Sequence, residues 1–105
     1  MIAMNQELFE KYTAESGKPV LVEFWAPWCV YCRRIAPALD KLADQRSDLV
    51  VGQINIDEHP LLAAKEQIEV IPTLILYKNG EALGSIVAPE SKARIEEFIA
   101  ETLNA

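Results

Sequence analysis

The sequence is sparing with the residues that staple, chelate or bind polyanions. Its 105 residues hold 2 cysteines and 1 histidine, too few for a disulfide framework or a zinc site built within the chain. Basic residues are outnumbered, 10 Lys and Arg against 16 Asp and Glu. The net charge of -6 and pI near 4.7 exclude any general attraction to nucleic acid or to an anionic membrane. No apolar run approaches the length of a membrane span. The opening MIAMNQELFEKY lacks the basic segment, apolar core and small-residue cleavage site of a secretory signal, so the cytoplasm is the expected location. Repeats, linkers and low-complexity stretches are missing too.

What is present is an ordinary globular composition, 50% hydrophobic and 25% charged. Residues 1–105 fit one domain, large enough to bury a core without covalent help.

Element types alternate along the chain. Leu8, Phe9 and Tyr12 at helical spacing predict a helix from Asn5, a possible N-cap, to Ser16, closed by Gly17 and Pro19. Pro19 to Trp25 is a short, β-branched, apolar run suited to a sheet covered on both faces. A helical stripe of Ile35, Leu39 and Leu42 runs from Cys29 to Arg46, with Pro37 expected to kink it. A strand is predicted over Asp48 to Asp57 and a short helix over Pro60 to Gln67. Thr73 to Lys78 and Glu81 to Ala88 read as strands joined by an Asn79-Gly80 hairpin turn, and Glu90 to Leu103 as an amphipathic closing helix. A βαβ unit followed by a hairpin and a helix implies an α/β fold with a mixed sheet between helices.

The chemistry concentrates in residues 25–32, WAPWCVYC. In a reducing compartment a permanent disulfide is not expected, and cysteines this close are more often catalytic or metal-binding. Zinc needs two further ligands, and His59, expected at the surface before Pro60, has no companion at ligand spacing. An iron–sulfur cluster shared between two copies of the pair stays open as a second reading. Cys29 falls where a buried strand gives way to a helix N-terminus, whose free N–H groups and dipole stabilise a thiolate, the nucleophilic form. Cys32, one turn on, is placed to resolve. Trp28 offers a substrate an apolar surface or belongs to the core. Tyr31 and Arg33 flank the pair. Arg33 and Arg34 either help the thiolate or are simply solvated. Glu23 interrupts the strand VLVEFW. Buried, its pKa would rise and it could accept the proton of Cys32; at a sheet edge it would face solvent, and the strand alone does not decide.

These residues together resemble the thioredoxin family: VEFWAPWCVYCRRIAP, NID, VIPTLILYKNG and the terminal helix follow its pattern in order from Pro19 to the end. The resemblance implies a central mixed sheet of four to five strands flanked by about four helices, and a thiol–disulfide oxidoreductase acting on protein disulfides. In such proteins the residue at Cys29 attacks and the one at Cys32 resolves. A flavoprotein reductase using NADPH restores the dithiol, no cofactor or metal is bound, and the chain is a monomer. Pro72 matches a cis-proline facing the site, Ile71 offers backbone groups to an extended substrate, and Asp57 holds the tryptophan at Trp28. Pro37 plays a supporting part.

The departures bear on specificity. Val30-Tyr31 stands where Gly-Pro is usual, and loss of the proline is expected to make the disulfide more oxidising on a scale from about −270 mV for thioredoxin to about −120 mV for a strong oxidant. That leaves an isomerase, an oxidant or a glutathione-coupled protein as alternatives, and a cluster-binding or non-catalytic interaction module as one of another class. Cys-x-Tyr-Cys is similar to glutaredoxin; the tryptophan before Cys29 is not. Glu23 replaces the family's buried aspartate, which favours burial, and Gln53 replaces a lysine that pairs with it. Ala88, followed by Pro89, replaces a glycine that lets substrate approach. The segment before Gln6 is short for the family's first strand, which is expected to be reduced or absent.

Overall fold

The run VLVEFW has five buried residues in succession, which only a strand covered on both faces can achieve. In the computed structural model, which describes residues 1–104, it forms β2 (Val20–Trp25) at the centre of a five-stranded sheet. Before it come β1 (Ile2–Ala3) and α1 (Gln6–Glu15); after it come α2 (Val30–Gln45), β3 (Val50–Asn55), α3 (Pro60–Lys65), β4 (Thr73–Lys78), β5 (Glu81–Val87) and α4 (Lys92–Leu103). The strand order is β1-β3-β2-β4-β5. β3 pairs parallel with β2 and β1, while β4 pairs antiparallel with β2 and β5, so the sheet is mixed as the element order required.

Alternation along β2 sends its side chains to two cores. Val20, Val22 and Phe24 pack with Phe9 of α1, Leu62 of α3, and Ile75 and Tyr77 of β4. Leu21 joins Ile35, Leu39 and Leu42 of α2, Ile95, Phe98 and Ile99 of α4, and Leu74 and Leu76. Each fully buried aliphatic or aromatic side chain of this kind contributes about 1.5–3 kcal/mol, so the two layers hold the sheet firmly. Local signals close the elements. Asn5 and Ser91 cap α1 and α4, accepting from Leu8 N–H at 2.8 Å and Arg94 N–H at 3.0 Å. Asn79 and Gly80 both adopt positive φ, the backbone a tight hairpin needs, and Gly80 N–H reaches back to the Thr13 carbonyl at 2.8 Å. The phenol of the buried Tyr77 donates to Glu66 Oε1 at 2.6 Å, tying the end of α3 to β4.

Several boundaries differ from the sequence expectation. Cys29 is the N-cap of α2 rather than its first residue, and the helix runs through Pro37 to Gln45 without a break. β3 is shorter than the Asp48 to Asp57 run, α3 stops at Lys65, and α4 begins after Ser91 instead of at Glu90. The first strand is reduced to two residues. It lies against Gly52, where a side chain would collide with Met4. Among the described residues, no helix is long and apolar enough to cross a membrane.

Candidate active site

Where β2 ends, the chain turns through Ala26 to Trp28 and enters α2 at Cys29. Cys29 takes an extended backbone conformation (φ -85°, ψ 111°), and its N–H donates to the Ala26 carbonyl at 3.1 Å. Its Sγ occupies the position of an N-cap oxygen and accepts the N–H of Cys32 at 3.2 Å. The two sulfurs are joined in a disulfide, with the Cα atoms 5.3 Å apart. Both cysteines are buried, Cys29 at 6% exposure and Cys32 at 2%. Ala26 shares their small cluster, with Trp25, Ile56 and Ile71 packed against it.

Around the disulfide the side chains split into an open front and a closed back. In front, Trp28 is 64% exposed and Tyr31 61%, and Val30 is exposed as well. Trp28 belongs to the surface rather than the core, and its indole Nε1 donates to Asp57 Oδ2 at 3.0 Å, the contact the resemblance implied. Asp57 follows β3, where its own N–H donates to Asn55 Oδ1 at 3.0 Å. The Ile71–Pro72 peptide bond is cis; Pro72 is buried, and its carbonyl accepts Ala88 N–H at 2.9 Å. That bond holds the loop after β5 against the loop before β4. Ala88 adopts φ 45°, in the left-handed region that costs a non-glycine residue about 1–2 kcal/mol. Tyr31, Arg34, Ala88, Pro89 and Glu90 surround a surface cavity of about 480 Å³.

Behind the disulfide lies Glu23, 2% exposed. It points to the α2 side of the sheet, with Gln53 of β3 and Leu74 of β4 opposite it in register. Its Oε2 has no hydrogen-bond partner, nor has the buried Trp25 Nε1. Loss of hydration raises the Glu23 pKa from an ordinary carboxyl value to about 7, and the nearby charge of Asp40 pushes it the same way. The solvent-edge reading of Glu23 is thereby set aside. Cys32, Arg33, Asp40 and Gln53 line a cavity of about 250 Å³ that reaches Glu23.

Other residues singled out from sequence separate cleanly. Pro37 is exposed on α2, away from the disulfide cluster, and its missing N–H leaves the Arg33 carbonyl without its usual helical partner. His59 is half-buried at the N-cap position of α3 and makes no capping bond. Arg33 and Arg34 are both exposed, and the Arg34 guanidinium lies over the Tyr31 ring at 5.2 Å, a cation–π contact the sequence reading did not anticipate. No group of three or more His, Cys, Asp or Glu side chains converges as a metal site among the described residues. Asp40 was also missed. Its signal was its spacing, because Cys32, Ala36 and Asp40 recur every four residues on one face of α2.

Comparison with known proteins agrees with this geometry. The family model for thioredoxin matches residues 1–101. The chain is 40% identical over 100 residues to the thioredoxin of Buchnera aphidicola subsp. Baizongia pistaciae, covering 94% of this chain and 92% of that one. It is 42% identical over 94 residues to thioredoxin 1 of Synechococcus elongatus, covering 89% and 88%. Against the chloroplastic M-type thioredoxin of Chlamydomonas reinhardtii, identity is 40% over 103 residues, 97% of this chain and 74% of that one. With fold, cysteine pair and near full-length similarity all in agreement, the chain belongs to the thioredoxin family of protein-disulfide oxidoreductases.

Proposed function

We propose that this protein works in the reducing direction, donating two electrons from the Cys29–Cys32 dithiol to disulfides in protein substrates. The observation that carries the reading is the position of Cys29 Sγ at the N-cap of α2, beside an exposed apolar surface. In the dithiol form the Cys29 thiolate attacks one sulfur of the substrate disulfide and expels the other as a thiolate. The mixed disulfide is resolved when Cys32, giving its proton to the Glu23 carboxylate, attacks Cys29 Sγ. The second substrate thiolate then leaves, and Cys29 and Cys32 are oxidised together.

Trp28, Val30 and Tyr31 form one wall of the substrate surface. Ile71 presents backbone to an extended segment, Pro72 shapes that loop, and Ala88 borders the far side. Val70 and Val87, next to these loops, are exposed and continue the apolar surface. Asp57 keeps the Trp28 ring in place. The Val30-Tyr31 dipeptide supplies an extra N–H relative to proline, yet the backbone N–H received by Cys29 Sγ is that of Cys32. Near full-length similarity to thioredoxins further supports the reducing direction. Electrons are returned from NADPH by a flavoprotein reductase; the protein operates as a monomer in a reducing compartment, the cytoplasm, with no bound cofactor.

The test couples purified protein to NADPH and a thioredoxin reductase with a disulfide-bonded protein as acceptor. NADPH consumption that needs both cysteines is expected. Faster oxidation of a reduced protein than reduction of its disulfide form, in the same thiol buffer, would reverse the assignment.

A further inference from the structure

We propose that Asp40 is a positioning residue that acts across the cavity behind the disulfide to set the pH at which Glu23 ionises. The proposal rests on the reading of Glu23 as proton acceptor only for its kinetic consequence; the placement stands on geometry. Asp40 and Cys32 lie two turns apart on one side of α2, and both line the cavity that reaches Glu23, Cys32 buried and Asp40 exposed. Glu23 Oε2 and Trp25 Nε1 are buried polar atoms without protein partners, and a cavity of about 250 Å³ is roomy enough for water to reach them.

The charged groups facing Glu23 are few. From α2 come Asp40 and Arg33, with the Cys32 sulfur; from β3 comes neutral Gln53; from β4, apolar Leu74; from β2 itself, Trp25. Met1 also lines the cavity, its amine 3.4 Å from Asp40 Oδ1. Neither Glu23 nor Arg33 takes part in an ion pair among the described residues. Asp40 is thus the one other carboxylate among the residues lining the cavity; solvent and the Met1 amine screen it in part, and its remaining charge opposes ionisation of Glu23. The β3 residue paired with Glu23 is the neutral Gln53, and β3 carries no Lys or Arg, so no cation on that strand offsets it.

Its own side chain is exposed, so Asp40 can be changed at little structural cost. The experiment follows the Glu23 side-chain carboxyl carbon by NMR through a pH titration of the oxidised protein. Asp40→Asn is expected to lower the midpoint by at least ~0.3 unit, a twofold rise in the ionised fraction below it. Asp40→Lys should lower it further, and Asp40→Glu should leave it within ~0.2 unit of the parent. Asp44→Asn makes the same charge change one turn along α2 and should leave the midpoint in place. A midpoint that ignores the charge at residue 40, or that moves equally with Asp44→Asn, overturns the proposal. The pH profile of mixed-disulfide resolution is recorded on the same variants. If it fails to follow a midpoint that does move, the assignment of Glu23 as the base of Cys32 falls and the role of Asp40 in its ionisation stands.

Discussion

The two sulfurs of one disulfide face opposite environments. On the Cys29 side, Trp28, Val30 and Tyr31 are open to solvent and are held by few contacts, chiefly the Trp28–Asp57 bond. On the Cys32 side, a carboxyl is buried at the centre of the sheet beside a small cavity, with an unpaired oxygen and a pKa near 7. The contrast teaches a division of labour. On the proposed function, recognition of varied protein disulfides calls for an apolar surface that many sequences can meet, whereas taking the proton of Cys32 calls for a buried carboxyl held in a fixed place. Placing both on either side of a helix N-terminus lets each be altered without disturbing the other.

The largest expected effect removes the bond that divides the two sides. Cys29→Ser should abolish turnover, while Cys32→Ser should still attack and then stall, leaving a mixed disulfide with a peptide substrate that is visible as an intact mass. If the roles were reversed, Cys29→Ser would be the variant that traps.

Glu23→Gln should disable the back alone, slowing resolution by about 10²–10⁴-fold and removing a limb near neutral pH from its rate profile, while initial attack by Cys29 is kept. The same carboxyl also marks stability. Its folded pKa of about 7 lies above the unfolded value near 4.5, so native protein holds a proton that unfolded protein has already released. The contribution of Glu23 to stability is therefore greatest below about pH 4.5 and falls as pH rises through 7, by on the order of 3 kcal/mol. Denaturant midpoints across this range should show that slope in the parent and lose it in Glu23→Gln.

Changes at the front should be gentler. Asp57→Ala frees the Trp28 indole and should lower kcat/KM for protein disulfides about fivefold, the worth of one hydrogen bond of ~1 kcal/mol, with the pH profile unchanged. Ala88→Gly relieves the left-handed backbone at that residue. Allowing for glycine's greater freedom when unfolded, it should raise stability by ~0.5–1 kcal/mol, read by thermal or denaturant melting.

Much of this molecule could be read from its residues because local chemistry and burial coincide. β2 shows itself as an apolar run broken only by Glu23, α2 as the stripe of Ile35, Leu39 and Leu42, and the hairpin as Asn79-Gly80. The cysteines stand out by falling at a strand-to-helix junction. Glu23 was undecided for a physical reason: alternation says which residues share a face but not which helix covers that face, and only the packing of α2 on β2 settles burial. The cis bond at Pro72 came from family resemblance, since proline alone does not fix its isomer. Asp40 and the Arg34–Tyr31 contact escaped because a search for apolar periodicity passes over charged residues that share the same helical face.

The proposed direction of electron flow meets its most direct test in the reduction potential of Cys29–Cys32, titrated against a defined thiol–disulfide buffer with Cys32→Ser as the control. The expected potential lies near the thioredoxin value of about −270 mV, and below the range of about −230 to −200 mV where glutaredoxins begin. At about 1.4 kcal/mol for every 30 mV, a value above about −230 mV would mean that Val30-Tyr31 has stabilised the dithiol enough to contradict the electron-donor role.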